Sequence, residues 1–524
     1  MTKPTSNLRP HGSRIRGASL SRSSPLFEGP FGRIFRALPP ADFGDNDQQS
    51  LAALDALATK MISVKDPADP KDGPDAEEGG IPSAYTYLGQ FIDHDLTFDP
   101  ASSLQRQNDP DALVDYRTPR FDLDNVYGRG PDDQPYLYTD GRTFNLGDPL
   151  TGAASNPRAR DLPRSEVLDG SKRKKARAII GDPRNDENTI VSQLQGLWHR
   201  FHNKTAADHP DWDFTRVQRE VRFHYQWMLL NDFLPTVISG GVLDQVVPHL
   251  KKKTNVLEDP PRLELYHPKN ELFMPLEFSA AAYRFGHSMV RPGYRLSEAV
   301  GPLPIFDFDP TKPSLTGFQP VASNRAMDWN LFIDLEPRDP DNITRTQLAY
   351  KIDTSLVNPL GNLPASIAIN PNVLAQRNLE RGWRMRLPSG QAIARAMGLK
   401  PLADKDILIG KFTGDPDDTK ALIPITKISA AFKDNCPLWT YVLAETVETQ
   451  VAIKTTKGEK KIKTRKLGPV GGRIVAETFV GILIGDSSSY LAQNPLWVPQ
   501  ATPFGLRELI SSALHDENVL ATSA

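Results

Sequence analysis

Proline is the residue type that most restricts what this chain can fold into. The sequence has 46 prolines among 524 residues, which is about 9%, against a usual frequency of about 5%. Proline lacks the backbone N–H and interrupts both helices and sheets, so regular elements must be of limited length. We therefore expect a large body in which short or medium elements are joined by much irregular backbone.

Between the prolines, apolar residues recur mainly with the spacing of an α-helix. The segment 187–206, for example, places Ile190, Leu194 and Leu197 on one stripe. Such patterns predict helices over 50–62, 83–97, 187–206, 214–233, 278–290, 389–397, 437–447 and 474–485. The best strand pattern is a hairpin over 451–467, around a Lys-Gly turn. The prediction is a mainly α fold: a single large helical domain with a few short β-hairpins.

Changes in composition indicate where that domain begins and ends. Residues 1–78 combine a Ser-, Arg- and Pro-rich start, one short helix and part of the dense turn chemistry of 65–82, which is typical of a boundary. We predict an extended N-terminal arm over 1–78 that wraps over the body or is partly disordered. One domain should cover 79–515, followed by a tail over 516–524. The basic run 171–177 is predicted to be a solvated loop.

Charge, cysteine content and hydropathy exclude several classes of protein. Lys and Arg total 62 and Asp and Glu total 64, so the chain lacks the basic footprint of a nucleic-acid-binding protein. Cys436 is the only cysteine, which excludes an intramolecular disulfide and a cysteine-ligated zinc cluster. No apolar run is long enough to predict a transmembrane helix, and the N-terminus lacks a secretory signal pattern. We expect a cytoplasmic location or export by a non-standard route.

The segment 84–100 (AYTYLGQFIDHDLTFDP) holds polar residues in an apolar setting. On a helix, Gln90, Asp93 and His94 share one face. Burying such groups costs free energy unless they have a partner or a use. The alternative is a core histidine with satisfied hydrogen bonds beside two solvated aspartates.

Two further pairs combine an arginine with a second functional group. Arg184 and Glu187 are three residues apart at the entrance to a predicted helix, and Arg284 and His287 have the same spacing on an Ala-rich one. Gly286 leaves room beside His287, as if a flat group lay against the backbone. For the first pair, the alternative is a helix N-terminus with solvated charges. For the second pair, it is a core histidine with a surface arginine.

A turn-rich segment, 115–130, carries oxygen ligands at short intervals. Thr118, Asp122 and Asp124 follow one another closely, and hard oxygen ligands packed in this way suit Ca²⁺, which takes six to eight of them. A solvated acidic loop would have the same composition.

Five of these features occur together and in one order. They are GQFIDHDLTFD, TPRFDLDNVYG, GDPRNDE, YRFGH and the later Asn378. Spread over residues 80–490, the set resembles the animal-type haem peroxidase family, also called the peroxidase–cyclooxygenase superfamily. The similarity is greatest to its myeloperoxidase-like branch, as a bacterial-type member without disulfides. The resemblance implies a mainly α-helical fold around a buried haem b.

The resemblance also implies roles for individual residues. His94 is similar to the distal histidine, Arg184 to the distal arginine and His287 to the proximal iron ligand. Asn378 matches the asparagine that accepts a hydrogen bond from the other ring nitrogen of His287, which would orient that ring. Arg284 stands where the halide-oxidising branch has an arginine and is expected to contact the cofactor.

Other matching positions concern haem attachment and the halide site. Asp93 and Glu187 match two carboxylates that form ester bonds to haem methyl groups, and Gln90 matches the glutamine that lines the halide site. Asn188 stands where myeloperoxidase has a methionine bonded to haem, so that third link cannot form here. The resemblance therefore implies donors that are easier to oxidise than chloride, such as iodide, bromide, thiocyanate or organic reductants.

The resemblance further implies a calcium site whose loop is joined to the distal helix. Its ligands would be Asp95, Thr118, Asp122 and Asp124, with the carbonyl of Arg120. Asp124 replaces the serine usual at that position, and an added carboxylate should bind a cation at least as well.

These roles imply an enzyme that reduces hydrogen peroxide to water through a ferryl intermediate and oxidises halide, thiocyanate or phenolic donors. A fatty-acid dioxygenase of the same superfamily is the main alternative. Its radical-forming tyrosine would stand where this chain has Arg284, and the neighbouring Tyr283 should point about 100° away on an α-helix. A structural or adhesion protein of the same fold would need a broken haem site. The physiological donor and the oligomeric state are not predicted.

Overall fold

The structure is a computed structural model that describes most of the chain. The described residues are 31–63, 76–97, 117–169, 172–268, 271–307, 309, 311–365, 367, 368, 370–413 and 422–516. Within them, ten α-helices have seven residues or more. These are α1 (Asp47–Met61), α2 (Ala84–Leu96), α3 (Thr189–Asp208), α4 (Phe214–Met228), α5 (Gly240–Val246), α6 (Leu374–Arg384), α7 (Gly390–Ala396), α8 (Leu438–Ala444), α9 (Pro469–Gly485) and α10 (Leu506–Leu514).

The strands of the described residues pair only two by two. The pairs are β1 (Phe31–Gly32) with β5 (Met274–Pro275), β2 (Glu78–Pro82) with β8 (Leu348–Tyr350), β3 (Arg164–Asp169) with β4 (Lys172–Ala178), β6 (Gly293–Tyr294) with β7 (Leu303–Pro304), β9 (Leu408–Ile409) with β10 (Ile423–Pro424), and β11 (Val447–Thr455) with β12 (Gly458–Lys466). The predicted mainly α fold with short hairpins is confirmed. The hairpin predicted over 451–467 is β11–β12.

The hairpin β3–β4 shows that one prediction was wrong. The basic run 171–177, predicted to be a solvated loop, forms strand β4 from Lys172 onward and pairs antiparallel with β3. A two-stranded ribbon leaves both faces open to water, so charged side chains do not prevent a strand there. Composition alone therefore does not distinguish this ribbon from a loop.

Helix α3 begins where its sequence offers a cap. The Asn188 side chain accepts hydrogen bonds from the backbone N–H groups of Ile190 and Val191, at 3.1 and 2.8 Å. These groups have no partner within the helix, and asparagine is among the preferred residues at this position. The cap places Glu187 outside the helix, in the turn that leads into it.

The long helices share one hydrophobic core. Helix α9 is buried on almost every side, and its Phe479 packs against Phe121 and Phe233 with ring centroids 4.8 and 5.9 Å apart. The described part of the predicted arm, 31–63, contributes Leu54 and Leu57 to the same core. This part of the arm is therefore packed into the body.

The C-terminal end of the described chain is also held by the body. Asp516, which the sequence assigned to a tail, is buried. Its carboxylate pairs with Arg200 at 2.7 Å and with Arg158 at 3.1 Å. Over the described ranges, we find no helix with the length and apolar content needed to cross a membrane.

Candidate functional site: a cavity between two histidines

A large cavity is lined by α2, by the turn before α3 and by a 3₁₀ helix over Ala282–Met289. Its volume is about 310 Å³, at the lower end of the roughly 300–1,000 Å³ of most small-molecule sites. Much of the wall is apolar and comes from Met289, Val290, Ile305, Phe306, Leu315, Leu360, Leu363, Ile367 and Leu374. The polar side chains of the wall lie on α2, on the turn before α3 and on the 3₁₀ helix, and each is candidate chemistry.

His94 lies in this wall, in the last turn of α2. Its Nδ1 is 2.7 Å from Asn185 Oδ1, and both side chains are buried. Its Nε2 is 3.7 Å from Glu187 Oε1, which is beyond hydrogen-bond distance. One ring nitrogen is thus engaged by the protein, whereas the other is available to a group in the cavity.

Gln90, Glu187 and Asn188 form one polar network in the cavity wall. Gln90 Nε2 donates to Glu187 Oε1, and Gln90 Oε1 accepts from Asn188 Nδ2 at 3.2 Å. Because Asn188 also caps α3, the network is tied to the start of that helix. The residue that stands in the methionine position of myeloperoxidase therefore has a structural role here.

Arg184 lies on a 3₁₀ turn over Pro183–Asp186. Its Nη2 donates to the carbonyl oxygens of His94 and Thr97, at 3.0 and 2.6 Å. The last carbonyls of a helix lack intrahelical partners, so this guanidinium caps the end of α2. The structure corrects the expectation that Arg184 points into the cavity: its side chain binds the backbone of the helix that carries His94.

An aspartate holds that guanidinium in place. Asp182 accepts from Arg184 Nη2 at 2.8 Å and from Arg117 Nε at 3.1 Å. Burial opposes ionisation of Asp182, but the charges of the two arginines outweigh it and lower the pKa of the carboxyl. Asp182 therefore stays ionised and keeps both arginines fixed beside the distal helix.

His287 lines the same cavity from the 3₁₀ helix. Its Nδ1 lies 2.8 Å from Asn378 Nδ2, and Asn378 Oδ1 accepts from Arg284 Nη1 at 2.8 Å. The structure thus brings His287 and Asn378 together, but with the opposite polarity to that predicted. Because Arg284 donates to the amide oxygen, the amide presents its nitrogen to His287.

Burial sets the charge state of this group of residues. Together with the nearby Arg284 charge, burial lowers the pKa of His287 to about 3. Burial and the charge of Arg381 lower the pKa of Arg284 to about 10. His287 is therefore neutral near pH 7 and keeps a ring lone pair, as a metal ligand must.

The element that carries His287 differs from the predicted α-helix. A 3₁₀ helix has three residues per turn, so residues three apart eclipse one another, which aligns Arg284 with His287. Gly286 lines the cavity, and a Cβ atom added there would meet nothing within 4 Å. The room predicted beside His287 is therefore present.

Three carboxylates form a second cluster next to the distal helix. Oxygen atoms of Asp95, Asp122 and Asp124 all lie within 4.8 Å of one another. Two oxygens bound to one Ca²⁺ at about 2.3–2.6 Å are at most about 5.2 Å apart, so one cation fits among them. Thr118 Oγ1 donates to Asp122 Oδ2 at 2.7 Å, and Arg120 N donates to the Thr118 carbonyl at 2.7 Å.

The protein only partly balances the charge of this cluster. Arg117 Nη1 lies 3.3 Å from Asp124 Oδ1, and Arg117 and the Tyr225 hydroxyl favour the ionised form of Asp95. Asp95 is fully buried, however, and neither of its carboxylate oxygens has a hydrogen bond of ordinary geometry among the described residues. Burial and the charges of Asp122 and Asp124 raise the pKa of Asp95 well above its usual range. Burial likewise raises the pKa of Asp122 and of Asp124. An orphaned buried carboxylate is costly, and a cation would offset that cost.

Comparisons with known proteins agree with this geometry. The sequence model of the animal haem peroxidase family matches residues 101–305. Peroxinectin A of Dictyostelium discoideum is 27% identical over 235 residues, which are 43% of this chain and 38% of that protein. Peroxidasin of Drosophila melanogaster is 22% identical over 333 residues, 60% of this chain and 18% of its own length. Residues 101–305 are thus similar to the animal haem peroxidase family, as the motifs of the sequence predicted.

Two solved structures have a fold similar to that of this chain. Peroxidase A from Dictyostelium discoideum superposes with a TM-score of 0.58 over 93% of this chain and 94% of its own, at 18% identity. A fatty acid alpha-dioxygenase from Oryza sativa does so with a TM-score of 0.51 over 92% and 80%, at 15% identity. At such identities the likeness concerns the fold. The matched segments span less than two fifths of the curated relatives named above.

The dioxygenase alternative requires a tyrosine where this chain has Arg284, and Tyr283 is its neighbour. Tyr283 lines the cavity wall, stacks on Phe278 with ring centroids 4.6 Å apart, and its hydroxyl has no hydrogen-bond partner within the described chain. Successive residues of a 3₁₀ helix turn by about 120°, so the Tyr283 side chain leaves the helix in a different direction from Arg284, although both line the wall.

Some residues of the site were missed by sequence reasoning. Asn185 contacts His94, and Gln195 and His199 continue the contact inside α3. One signal was available: Gln195 and His199 are four residues apart on the apolar side of a predicted helix. Tyr85 also lines the cavity and donates to Asp232 at 2.8 Å, and no spacing in the sequence indicated this contact.

Proposed function

We propose that the chain is a haem peroxidase that reduces hydrogen peroxide and oxidises a small donor. The observation that carries this proposal is that His94 and His287 line one cavity, each with its Nδ1 engaged by a buried asparagine. Nε2 of His287 could therefore bind an iron, and Nε2 of His94 could accept a proton. The match of residues 101–305 to the animal haem peroxidase family supports the same conclusion.

The cavity suits a haem in its apolar lining and in its neutral histidine. Haem b bound there would supply an iron at which the O–O bond of peroxide is reduced. His287 would hold the iron through Nε2, which requires the ring proton on Nδ1 and an acceptor beside it. A half-turn of the Asn378 amide would offer its oxygen to His287, and Arg284 would then donate elsewhere.

His94 is the residue that would move the proton. Its Nε2 faces the cavity without a hydrogen bond and can accept a proton from one peroxide oxygen and return it to the departing one. Arg184 would act mainly by fixing the end of α2, because its guanidinium is bonded to the His94 carbonyl. The positive charge beside the distal helix would also favour developing negative charge.

We propose the class of electron donor from the lining of the cavity and from one difference from myeloperoxidase, at Asn188. Asn188 cannot form the sulfonium link of myeloperoxidase, and Gln90 contributes a neutral amide at the position of the halide site. With a mostly apolar wall, these features favour phenols and other organic reductants, iodide, bromide or thiocyanate over chloride. Fatty-acid oxygenation is the second candidate, because Tyr283 lines the cavity and its hydroxyl is unbonded in the described chain.

The full chain reconstituted with haemin tests this function. We expect one haem per chain, a Soret band, and oxidation of guaiacol or bromide that depends on added peroxide. Sustained oxygen uptake with linoleate in the absence of peroxide would instead favour the dioxygenase. A chain that takes up no haem would overturn both.

The same sample tests covalent attachment. Asp93 and Glu187 both line the cavity, so we propose that they form the two ester bonds after exposure to peroxide. Denaturing extraction should then leave haem on the wild-type chain, and Asp93→Val with Glu187→Gln should release it. Equal release from the wild type and the double variant would remove the ester proposal.

We also propose that the carboxylate cluster binds Ca²⁺ and thereby positions His94. Asp95 follows His94 directly in α2, so an ion bound by Asp95, Asp122 and Asp124 would tie that helix end to the segment around Thr118. The orphaned oxygens of Asp95 support the proposal, since a hydrated cation is the simplest partner for a buried carboxylate.

Calcium should stabilise the fold measurably. A ligand at 100 times its dissociation constant contributes about 2.7 kcal/mol, so we expect the melting temperature to fall by a few degrees in EGTA and to recover with Ca²⁺. Asp95→Asn should abolish this response. Asp353→Asn is the matched control, because Asp353 is a buried carboxylate bonded to the N–H groups of Ser355 and Phe412. An unchanged calcium response in Asp95→Asn would contradict the assignment.

A further inference from the structure

A line of buried polar side chains runs from His94 into α3. His94 Nδ1 is 2.7 Å from Asn185 Oδ1, Asn185 Nδ2 donates to Gln195 Oε1 at 2.8 Å, and Gln195 Nε2 is 2.9 Å from His199 Nε2. Asn185 and Gln195 are completely inaccessible to solvent. Every contact in this line is therefore made in a setting where an unsatisfied group is costly.

The hydrogen bond between the two amides determines the polarity of the line. Asn185 Nδ2 donates to Gln195 Oε1, so Gln195 presents its Nε2 to Nε2 of His199. His199 is neutral, because burial and the nearby His202 lower its pKa to about 3. An amide nitrogen only donates, so His199 accepts at Nε2 and carries its proton on Nδ1, which has no hydrogen bond of ordinary geometry among the described residues.

The remaining donors and acceptors follow in sequence. Gln195 must donate to His199 from Nε2, which leaves its Oε1 to accept from Asn185. Asn185 donates from Nδ2, which leaves its Oδ1 facing His94. Since an amide oxygen cannot donate, His94 carries a proton on Nδ1. In the neutral ring, Nε2 then keeps the lone pair.

The ring plane of His199 is fixed as well. Phe144 stacks on it with a centroid distance of 4.4 Å and an interplanar angle of 7°. The turn that carries Asn185 is held by its own N–H, which donates to the Asp182 carbonyl at 3.1 Å. The plane of the His199 ring and the backbone of Asn185 are therefore both held in place.

We propose that Asn185 is a positioning residue that holds His94 in the tautomer with its proton on Nδ1 and its Nε2 lone pair directed to the cavity. Gln195 and His199 orient the Asn185 amide. The inference rests on the proposed function, since a proton acceptor in the cavity matters only if a protonated substrate binds there. The inference adds Asn185 as the group that makes Nε2 of His94 a proton acceptor rather than a hydrogen-bond donor.

The test compares full-length variants that carry haem. Asn185→Leu keeps the size of the side chain and removes the acceptor, whereas Asn185→Asp keeps an acceptor. We expect Asn185→Leu to react with peroxide roughly 10–100-fold more slowly, as is typical when the group that orients a functional histidine is lost. Asn185→Asp should stay within a few-fold of the wild type. Haem content should be unchanged in both.

A second readout does not depend on activity. In chains labelled with ¹⁵N-histidine, the ring nitrogens report directly which one bears the proton, and the His94 signals are identified by their loss in His94→Gln. The wild type and Asn185→Asp should show the proton on Nδ1. In Asn185→Leu, the proton should move to Nε2 or exchange between the two nitrogens.

Gln193→Leu controls for the loss of a buried amide. Gln193 lies on the same helix and bonds to the Arg325 carbonyl and the Met327 N–H, at 2.9 Å each, away from this line. The proposal is overturned if Asn185→Leu keeps the wild-type rate and tautomer, or if Gln193→Leu slows the reaction equally. Wild-type protein that binds no haem would overturn the proposed function instead, and the tautomer would still be read in that protein.

Discussion

Replacement of His287 by alanine is expected to weaken haem binding by more than about 100-fold and to abolish peroxide-dependent oxidation. Loss of a group that merely orients a metal ligand typically costs 10–100-fold, and this change removes the proposed ligand itself. Asn378 engages Nδ1 of His287, so Nε2 is the ring nitrogen that could bind the iron. The measurements are haemin titration by Soret absorbance and guaiacol oxidation.

Imidazole added to His287→Ala separates loss of the ligand from misfolding. The cavity left by the side chain should admit free imidazole, which should restore the Soret band. His249→Ala is the matched control, because His249 is another buried histidine and lies outside the cavity wall. Haem content and activity that survive in His287→Ala would show that the iron ligand lies elsewhere.

Replacement of His94 by leucine is expected to slow the reaction with peroxide by about 10²–10⁴-fold, which is the usual contribution of a positioned acid–base group. Leucine is close to histidine in size but cannot accept a proton. Haem content should stay at the wild-type level because the proposed iron ligand is intact. Stopped-flow absorbance after mixing with peroxide measures the rate.

A second residue of the same helix face provides the control for His94→Leu. Thr86 lines the cavity, and its hydroxyl has no hydrogen-bond partner among the described residues. Thr86→Val should therefore leave the rate within a few-fold of the wild type. Comparable slowing in both variants would attribute the effect to altered packing of α2, and a wild-type rate in His94→Leu would exclude His94 as the base.

Local features of the chain predicted much of the scaffold. Helices α2 and α3 were expected because apolar periodicity is a property of a short segment. The 3₁₀ helix over Ala282–Met289 was predicted as α, since both kinds of helix bring residues three apart onto one side. Packing against α2, α8 and α9, not the local pattern, distinguishes the two.

Contacts between distant segments were less predictable. Arg184 was expected in the cavity, but its guanidinium is bonded to Asp182 and to the end of α2. That choice depends on the burial of Asp182 and on the position of carbonyls almost ninety residues earlier in the chain. Motif spacing gives the identity of such a residue and not the direction of its side chain.

By itself, the sequence determined which residues of this protein are available for chemistry: two histidines, their carboxylate and amide neighbours, and an acidic segment suited to Ca²⁺. It also determined that the chain would be mainly helical, because periodicity is local. Only the tertiary structure decided which side chains share a wall, that the Asp95 carboxylate is buried beside two others, and that the Asn185 amide oxygen faces Nδ1 of His94. These properties depend on burial and on hydrogen-bond direction between segments far apart in the chain, which no single segment encodes.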